Sequence, residues 1–600
     1  MLSLLRNFHV FENLFMSSSS PNLFISSSIS SASMNVWQQV ISFFHTATTD
    51  PLWWHWPLIV YGSIEISFYL IFHFHLIPRA NQRTPPQPFR AFGCSDGKDR
   101  FALMRKILDR LERTCSATGE DMFQATAHYL SNWFRFEPEK APLKEHRNHP
   151  RPPPMRRVSN IMTDTDSSRC TSHGEDDESE DGEWEPIVEN NAKGKILALP
   201  HSRILRDATA TGDSVELMWN DGRKDGCEKS NIFKWAMHTL RYDDVNDLLA
   251  CFFFGKRVEE LEAWETIELK KLFDYLEEHF DLRCQPGRSM VCSPRLLTLE
   301  DVDPWHRPLA VYAGIYAFTL GKAGCLWAMG FRHYVTKTGL QYWHRPAPST
   351  SDDLKEQATI PNPLLFFHGI APGGSAIYIP MLLAGVANDG RALFIFENQP
   401  VSSHPNFSFE VLNEDETIEG VQEALERFHP EGDIALMGHS FGSFQLTWLI
   451  YSPLRDRIRQ FALLDPVSIL LSEPDLIMNF ENATPLFKIF LKDLWTNFYI
   501  RRHFSWYRSE LWLDDLPDNV DFFVGVAEKD QIINGPKVKR EVEIFGDEHP
   551  AFARQTTVAF WPKALHGECL YKPSKWTDVR NFFEMTKERD SLRLQKQKVR

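Results

Sequence analysis

One stretch constrains this chain more than any other. Asp433-Ile-Ala-Leu-Met-Gly438-His439-Ser440-Phe441-Gly442-Ser443 joins a short apolar run to a segment with Phe444, Leu446 and Leu449. The pattern reads as a strand, a tight turn and a helix. A serine in such a turn sits in strained backbone, and side chains at the flanking positions would collide with the neighbouring strand or helix. Glycine at Gly438 and Gly442 removes them. The turn pushes the Ser440 hydroxyl into the open, at a helix N-terminus that favours developing negative charge. Ser440 is therefore the expected nucleophile. Gly-x-Ser-x-Gly alone also occurs in ordinary turns, so the strand and helix on either side carry the reading.

The rest of a nucleophilic site follows in order. Upstream, the apolar run from Pro363 ends in His368-Gly369-Ile370, and Gly373-Gly374 then make a turn. Enzymes built on such a turn take one oxyanion-hole N–H from this loop and one from the residue after the nucleophile. Here those are Ile370 and Phe441, with Gly369 making room for the loop. His368 is tempting as a base, but a loop-structuring role is the plainer expectation. Downstream, the run from Val520 ends in an acidic turn with Glu528 and Asp530, and Asp465 ends the strand before it. Asp530 is the expected acid, Asp465 the alternative and Glu528 the third candidate. The competing reading for each loser is a solvated or loop-bracing carboxylate. Thr557 to Trp561 reads as the last strand, and His566-Gly567 follows it; His549 precedes that strand. The order Ser440, Asp530, His566 gives a base that takes the serine proton, an acid that holds its tautomer and an N–H pair for the oxyanion.

Together these residues resemble the α/β-hydrolase superfamily of serine hydrolases, from about Pro361 to Met585. More narrowly the chain looks like the membrane-anchored α/β hydrolases of microbial eukaryotes, in which an apolar segment and a helical region precede the hydrolase domain. The resemblance implies a mostly parallel central sheet flanked by helices and acyl chemistry on an ester, thioester or lipid. It also implies a helical cap at 467–516, between the sixth and seventh strands. That insertion carries Phe480, Phe487, Phe490, Trp495, Phe504, Trp506 and Trp512, which suits an apolar acyl pocket or a lid leaning on a membrane.

The remaining chain reads as follows. Residues 1–56 form a Ser-rich leader, expected to be disordered. A transmembrane anchor is expected at 57–78. The run from Leu58 to Ile77 crosses a hydrocarbon core of about 30 Å at about 1.5 Å per residue. Trp53, Trp54 and Trp56 suit the headgroup level, and Arg79, Arg83 and Arg90 the cytosolic side, which puts the hydrolase domain in the cytosol in a single-pass topology. Glu65, His73 and His75 argue against insertion. A helical region at 90–136 is separated from a second at 230–345 by a charged insertion at 137–229, expected to be disordered. Within the second region, the apolar stretch at 309–331 reads as a buried or interfacial helix, because Lys322 sits near its middle. The hydrolase domain is expected at 361–590.

Composition excludes some classes. The 600 residues carry 65 Lys+Arg against 80 Asp+Glu, a net charge of −15, so no basic footprint for nucleic acid exists. The nine Cys include no C-x-x-C pair, which favours free thiols over a disulfide framework or a zinc site. No metal or cofactor is expected. The partners expected are a small-molecule or lipid ester and a membrane. Two rival readings use the same residues: an acyltransferase whose dry lid lets an alcohol outcompete water, and a non-catalytic interaction protein on an α/β-hydrolase body.

Overall fold

The computed structural model of the protein describes residues 56–84, 89, 99–136, 240–280, 283–348, 361–386 and 389–599. The expected leader and the expected insertion at 137–229 lie outside the described residues, as do Trp53, Trp54 and Arg90.

The chain divides into two units, Met1–Phe72 and His73–Arg600. In the first, helix α1 (Trp56–Ile71) exposes Leu58, Val60, Tyr61, Ile64 and Tyr69. Its Ser63 and Ser67 hydroxyls donate to carbonyls four residues back at 2.7 and 2.8 Å, so neither needs water. The helical path continues through a π turn (Phe72–Leu76) and a last α turn (Ile77–Ala80), so 23 residues from Leu58 to Ala80 are long and apolar enough to span a membrane.

In the second unit, α2 (Arg100–Thr118), α3 (Met122–Asn132), α4 (Tyr242–Phe254) and α5 (Ala263–Phe280) form a helical region, with β1 (Phe134–Phe136) paired antiparallel to β2 (Cys292–Pro294). Leu103, Ile107, Leu108 and Leu111 recur along α2 and pack with Leu248, Phe253 and Leu272 in one core. Asp99 caps α2 by accepting from the N–H groups of Phe101 and Ala102.

Helix α6 (Leu309–Ala328) comes next, and only Tyr312, Lys322 and Leu326 are buried along it. Of the two alternatives expected for this stretch, buried or interfacial, the exposure of Val311, Tyr316, Phe318, Leu320 and Trp327 does not fit the buried one. Lys322 is tolerated because it is paired. Its ammonium donates to Glu397 at 2.5 Å and to the Gly373 carbonyl at 3.1 Å. Burial alone would push the Glu397 carboxyl up, yet Lys322 and His368 hold it far below the ordinary carboxylate range.

An eight-stranded sheet follows, in the order β10-β9-β8-β7-β5-β6-β4-β3. Its strands are β3 (Arg332–Val335), β4 (Gln341–Arg345), β5 (Leu364–Phe367), β6 (Leu393–Glu397), β7 (Ile434–His439), β8 (Ile458–Leu464), β9 (Asp521–Ala527) and β10 (Thr556–Trp561). Strand β4 pairs antiparallel with β3 and β6, and every other pair is parallel. This is the strand order and direction of the α/β-hydrolase fold. The sheet begins about thirty residues before the boundary expected at 361, because β3 and β4 belong to it. Arg-His-Tyr-Val is a short, polar edge strand, and Gln-Tyr-Trp-His-Arg, though buried between β3 and β6, is short and polar at both ends, so both carry little apolar signal.

The middle strands are buried on both faces, which requires helices on both sides. Alternate residues divide between two cores. Leu365, Phe367, Phe394, Leu436 and Leu463 pack with α7 (Glu414–Phe428), α8 (Gly442–Ile450) and α12 (Gly535–Glu548). Leu364, Phe366, Ile395, Met437 and Phe523 pack with Val579, Phe582 and Phe583 of α14 (Pro573–Val599). Between β8 and β9 the chain leaves the sheet for α9 (Asp475–Glu481), α10 (Pro485–Leu491) and α11 (Leu494–Arg502), where the cap is expected. Helix α13 (Pro550–Gln555) leads into β10.

Candidate active site

The candidate site lies at the carboxyl ends of the parallel strands, where open α/β sheets bind ligands. Ser440 follows β7 directly, with φ at 51°, a left-handed conformation that costs a non-glycine residue about 1–3 kcal/mol. Packing holds it there. The Ser440 N–H donates to the Leu464 carbonyl at 2.9 Å, and a Cβ at Gly442 would land on the Phe367 carbonyl. A Cβ at Gly438 would lie 2.9 Å from the Gly442 carbonyl oxygen. The two glycines are steric necessities of this turn.

The neighbouring strands deliver the partners. The Ser440 hydroxyl and His566 Nε2 are 2.9 Å apart, and His566 Nδ1 is 2.6 Å from Asp530 Oδ2. The second Asp530 oxygen accepts from the N–H groups of Ile532 and Ile533 at 2.7 and 2.9 Å. Those bonds fix the carboxylate before it meets the ring. Burial disfavours a charged His566, but Asp530, helped by Asp465, outweighs it and raises the imidazole above its ordinary value. Phe487 of α10 stands edge-on to His566 at 6.0 Å between ring centres and covers it.

Asp465 occupies a different position. It is fully buried after β8, with φ at 42°. Its oxygens accept from Ala527 N–H and Gly567 N–H, each at 2.9 Å. It ties the end of β9 to the loop that carries His566 and makes no bond to that ring among the described residues. Glu528 is exposed and accepts from Lys563 N–H at 2.6 Å. His549 lies at the end of α12, where its Nδ1 meets the Phe545 carbonyl.

The Gly369-Ile370 loop presses on the nucleophile: a Cβ at Gly369 would sit 2.9 Å from the Ser440 Cβ. Ile370 and Phe441 both line the cavity that reaches Ser440. Among the described residues no acceptor engages the N–H of either. His368 is a loop residue: its Nδ1 lies 2.7 Å from the Gly369 carbonyl, and its Nε2 accepts from Asn398 N–H at 3.0 Å. Sequence reasoning missed Tyr378 and His439. The Tyr378 hydroxyl accepts from Gly369 N–H at 2.9 Å, so its own proton goes to His439 Nδ1, also at 2.9 Å. Burial lowers the His439 imidazole, consistent with a neutral acceptor. Nothing in the sequence marks Tyr378; His439 sits between two recognised residues and shows its role only through that bond.

Two trios bring ligand-type atoms within 4.8 Å of one another: His439, Asp465 and Cys569, and Asp465, Asp530 and His566. Both share Asp465, whose oxygens are already spent on backbone N–H groups.

A cavity of about 910 Å³ opens from Ser440 beneath the α9–α11 insertion. That is near the top of the range of roughly 300–1,000 Å³ for small-molecule sites.

No family profile and no curated protein matches this chain. Solved structures do. An esterase from Pyrococcus furiosus matches with 14% identity over 42% of this chain and 92% of that one, at a TM-score of 0.28. The carboxylesterase CesB from Bacillus subtilis matches with 14% identity over 46% and 98%, at 0.32. A bacterial membrane phospholipase A matches with 11% identity over 46% and 96%, at 0.31. The fold assignment rests on the strand order of this chain, not on these likenesses.

Proposed function

We propose that this chain, whose C-terminal part has the α/β-hydrolase fold, is a serine hydrolase that cleaves a carboxylic or lipid ester through an acyl-enzyme. The observation that carries the reading is the continuous chain from the Ser440 hydroxyl through His566 to the buried, backbone-anchored Asp530. His566 Nε2 removes the serine proton as Oγ attacks the ester carbonyl, and Asp530 fixes the tautomer that leaves Nε2 free. The N–H groups of Ile370 and Phe441 receive the oxyanion. His566 then gives its proton to the leaving alcohol, and water repeats the sequence on the acyl-enzyme. Gly369, Gly438 and Gly442 keep the backbone close enough for this geometry. The apolar cavity favours an apolar acyl group over a polar one.

Membrane association is part of the proposal. It rests on two helices long and apolar enough to span, Leu58–Ala80 and Leu309–Ala328. Because α6 is pinned to the sheet through Lys322, it is assigned an interfacial seat and α1 the span, with the hydrolase domain on the cytosolic side.

Labelling by a fluorophosphonate tests the core of the reading. The purified protein is expected to be labelled at Ser440, and Ser440→Ala to lose both labelling and ester turnover. A folded wild-type protein that resists the probe, or a Ser440→Ala protein that still reacts, overturns it.

A further inference from the structure

The cavity is not walled by the hydrolase domain and its cap alone. Its far lining comes from the helical region: Trp133, and Leu248, Cys251, Phe252 and Gly255 on and just after α4. The path between is traceable ring by ring. Phe441, next to the nucleophile, lies 4.9 Å from Phe444, and Phe444 lies 5.2 Å from Phe504 of the cap. Two residues on, Trp506 stacks on Phe252 at 3.9 Å, and Phe252 meets Trp133 edge-on at 5.2 Å. Phe441, Phe444, Phe504, Trp506, Phe252 and Trp133 all line the same cavity. Two runs of ring contacts, joined through Ser505, thus line the cavity from the serine into the helical region.

The far wall is fixed in place. Arg110 of α2 makes a buried ion pair with Glu510 at 2.8 Å and also donates to Ser472 at 2.5 Å. The Tyr129 hydroxyl donates to the Ser472 carbonyl, and the Trp506 indole to the Phe252 carbonyl, both at 2.7 Å. Ile477, Tyr507 and Trp512 of the cap are members of the helical region's own core. Cap and helical region therefore form one packed body around the cavity. A wall of that kind does not yield to a substrate that is too long.

We infer that the helical region is an acyl-chain ruler: it closes the far end of a tunnel for a long, unbranched acyl group whose carbonyl is held at Ser440. This rests on the serine-hydrolase reading and adds the substrate class to it. The cavity reaches from Ser440 to Phe252 and Trp133 and is lined mostly by aromatic and aliphatic side chains, which suits a flexible hydrocarbon chain rather than a polar or compact acid. Cys251 marks the wall. Its thiol is half-buried and pushed up to about 12 by desolvation, and it meets the Thr298 hydroxyl at 3.8 Å, so it acts there as a small apolar filler.

The test is Cys251→Trp in the full chain, with Thr298→Trp as a second obstruction from the facing segment. Turnover is measured across p-nitrophenyl esters from butyrate to hexadecanoate. The ratio of hexadecanoate to butyrate kcat/KM is expected to fall by roughly 10- to 200-fold, the discrimination a hydrophobic pocket makes against a poor fit. A ratio unchanged in both variants overturns the ruler, as does selectivity that follows the alcohol chain instead of the acyl chain. Hexadecanoate binding to Ser440→Ala, measured by calorimetry and lost on adding Cys251→Trp, reads the same wall without turnover. Absence of fluorophosphonate labelling in the wild type defeats the hydrolase reading and the ruler with it; labelling without hexadecanoate binding to Ser440→Ala defeats the ruler alone.

Discussion

Two carboxylates end neighbouring strands of the same sheet, and the structure uses them in opposite ways. Asp465 follows β8 and Asp530 lies just past β9, and both side chains are fully buried. Each meets two backbone N–H groups. Asp530 spends one oxygen on backbone and keeps the other for the His566 ring. Asp465 spends both on backbone, one on β9 and one on the loop after His566. The difference is therefore what the second oxygen meets, the His566 ring in one case and a backbone N–H in the other. Burial and proximity to a histidine do not distinguish them, since Asp465 Oδ2 also lies 3.8 Å from His439.

The largest expected effect falls on Asp530. Asp530→Asn should cost roughly 10⁴-fold in turnover, by analogy with the triad acid of serine proteases. The pH profile sharpens this. Deacylation and acylation need neutral His566, and Asp530 raises its pKa. The acidic limb of activity should therefore lie above the ordinary imidazole value of about 6.5. In Asp530→Asn the residual activity should show that limb displaced to lower pH, because the main raising charge is gone. A full-strength Asp530→Asn enzyme with an unmoved limb would break the comparison.

The middle effect falls on Asp465 and should appear as stability. Asp465→Asn keeps one acceptor and turns its amide toward the other N–H, leaving Ala527 or Gly567 unpaired in a buried site. That costs about 1–3 kcal/mol, read as a fall in melting temperature. Turnover at a temperature where the variant is folded should drop far less than in Asp530→Asn. A crippled but fully stable Asp465→Asn would exchange the two roles.

Part of this contrast was legible in the sequence. The elbow, the His-Gly loop, the late acidic turn and the late His-Gly are local signals, each a strand running into a turn, so Ser440, Asp530, His566, Gly369, Gly438 and Gly442 could be named from their neighbours. The sequence ranks Asp530 ahead of Asp465, but the neighbours of neither show which oxygen faces which group across strands. Lys322 looked like a flaw in an apolar helix until Glu397 came to it from 75 residues away. Strands β3 and β4 escaped notice because β3 is a short polar edge strand and β4 is five residues mixing aromatic and polar side chains, too short for an apolar period to show. Tyr378 and the α4 wall of the cavity escaped for the same reason as the acid: their roles exist only in tertiary contact.

The smallest expected effect is on Glu528, and it closes the comparison from within a single turn. Glu528 stands only two residues before Asp530, just past the last residue of β9, so sequence distance hardly separates them. Geometry does. The Glu528 N–H donates to the Trp561 carbonyl at 3.1 Å, which continues the pairing of β9 with β10 by one residue. Its side chain remains exposed, where it accepts from the Lys563 N–H. Asp530 comes after the chain has turned inward, beneath the His566 loop. Glu528→Gln preserves an acceptor for Lys563 and removes a charge that water already solvates. It should leave turnover, the acidic limb and the melting temperature nearly unchanged, within the roughly ±0.5 kcal/mol typical of surface substitutions. Parallel kinetics and thermal unfolding of Glu528→Gln and Asp530→Asn measure the gap directly. If Glu528→Gln shifts the acidic limb as Asp530→Asn does, the turn presents its acid two residues earlier, and the oxygen that distinguishes Asp530 from Asp465 is not the one that serves His566.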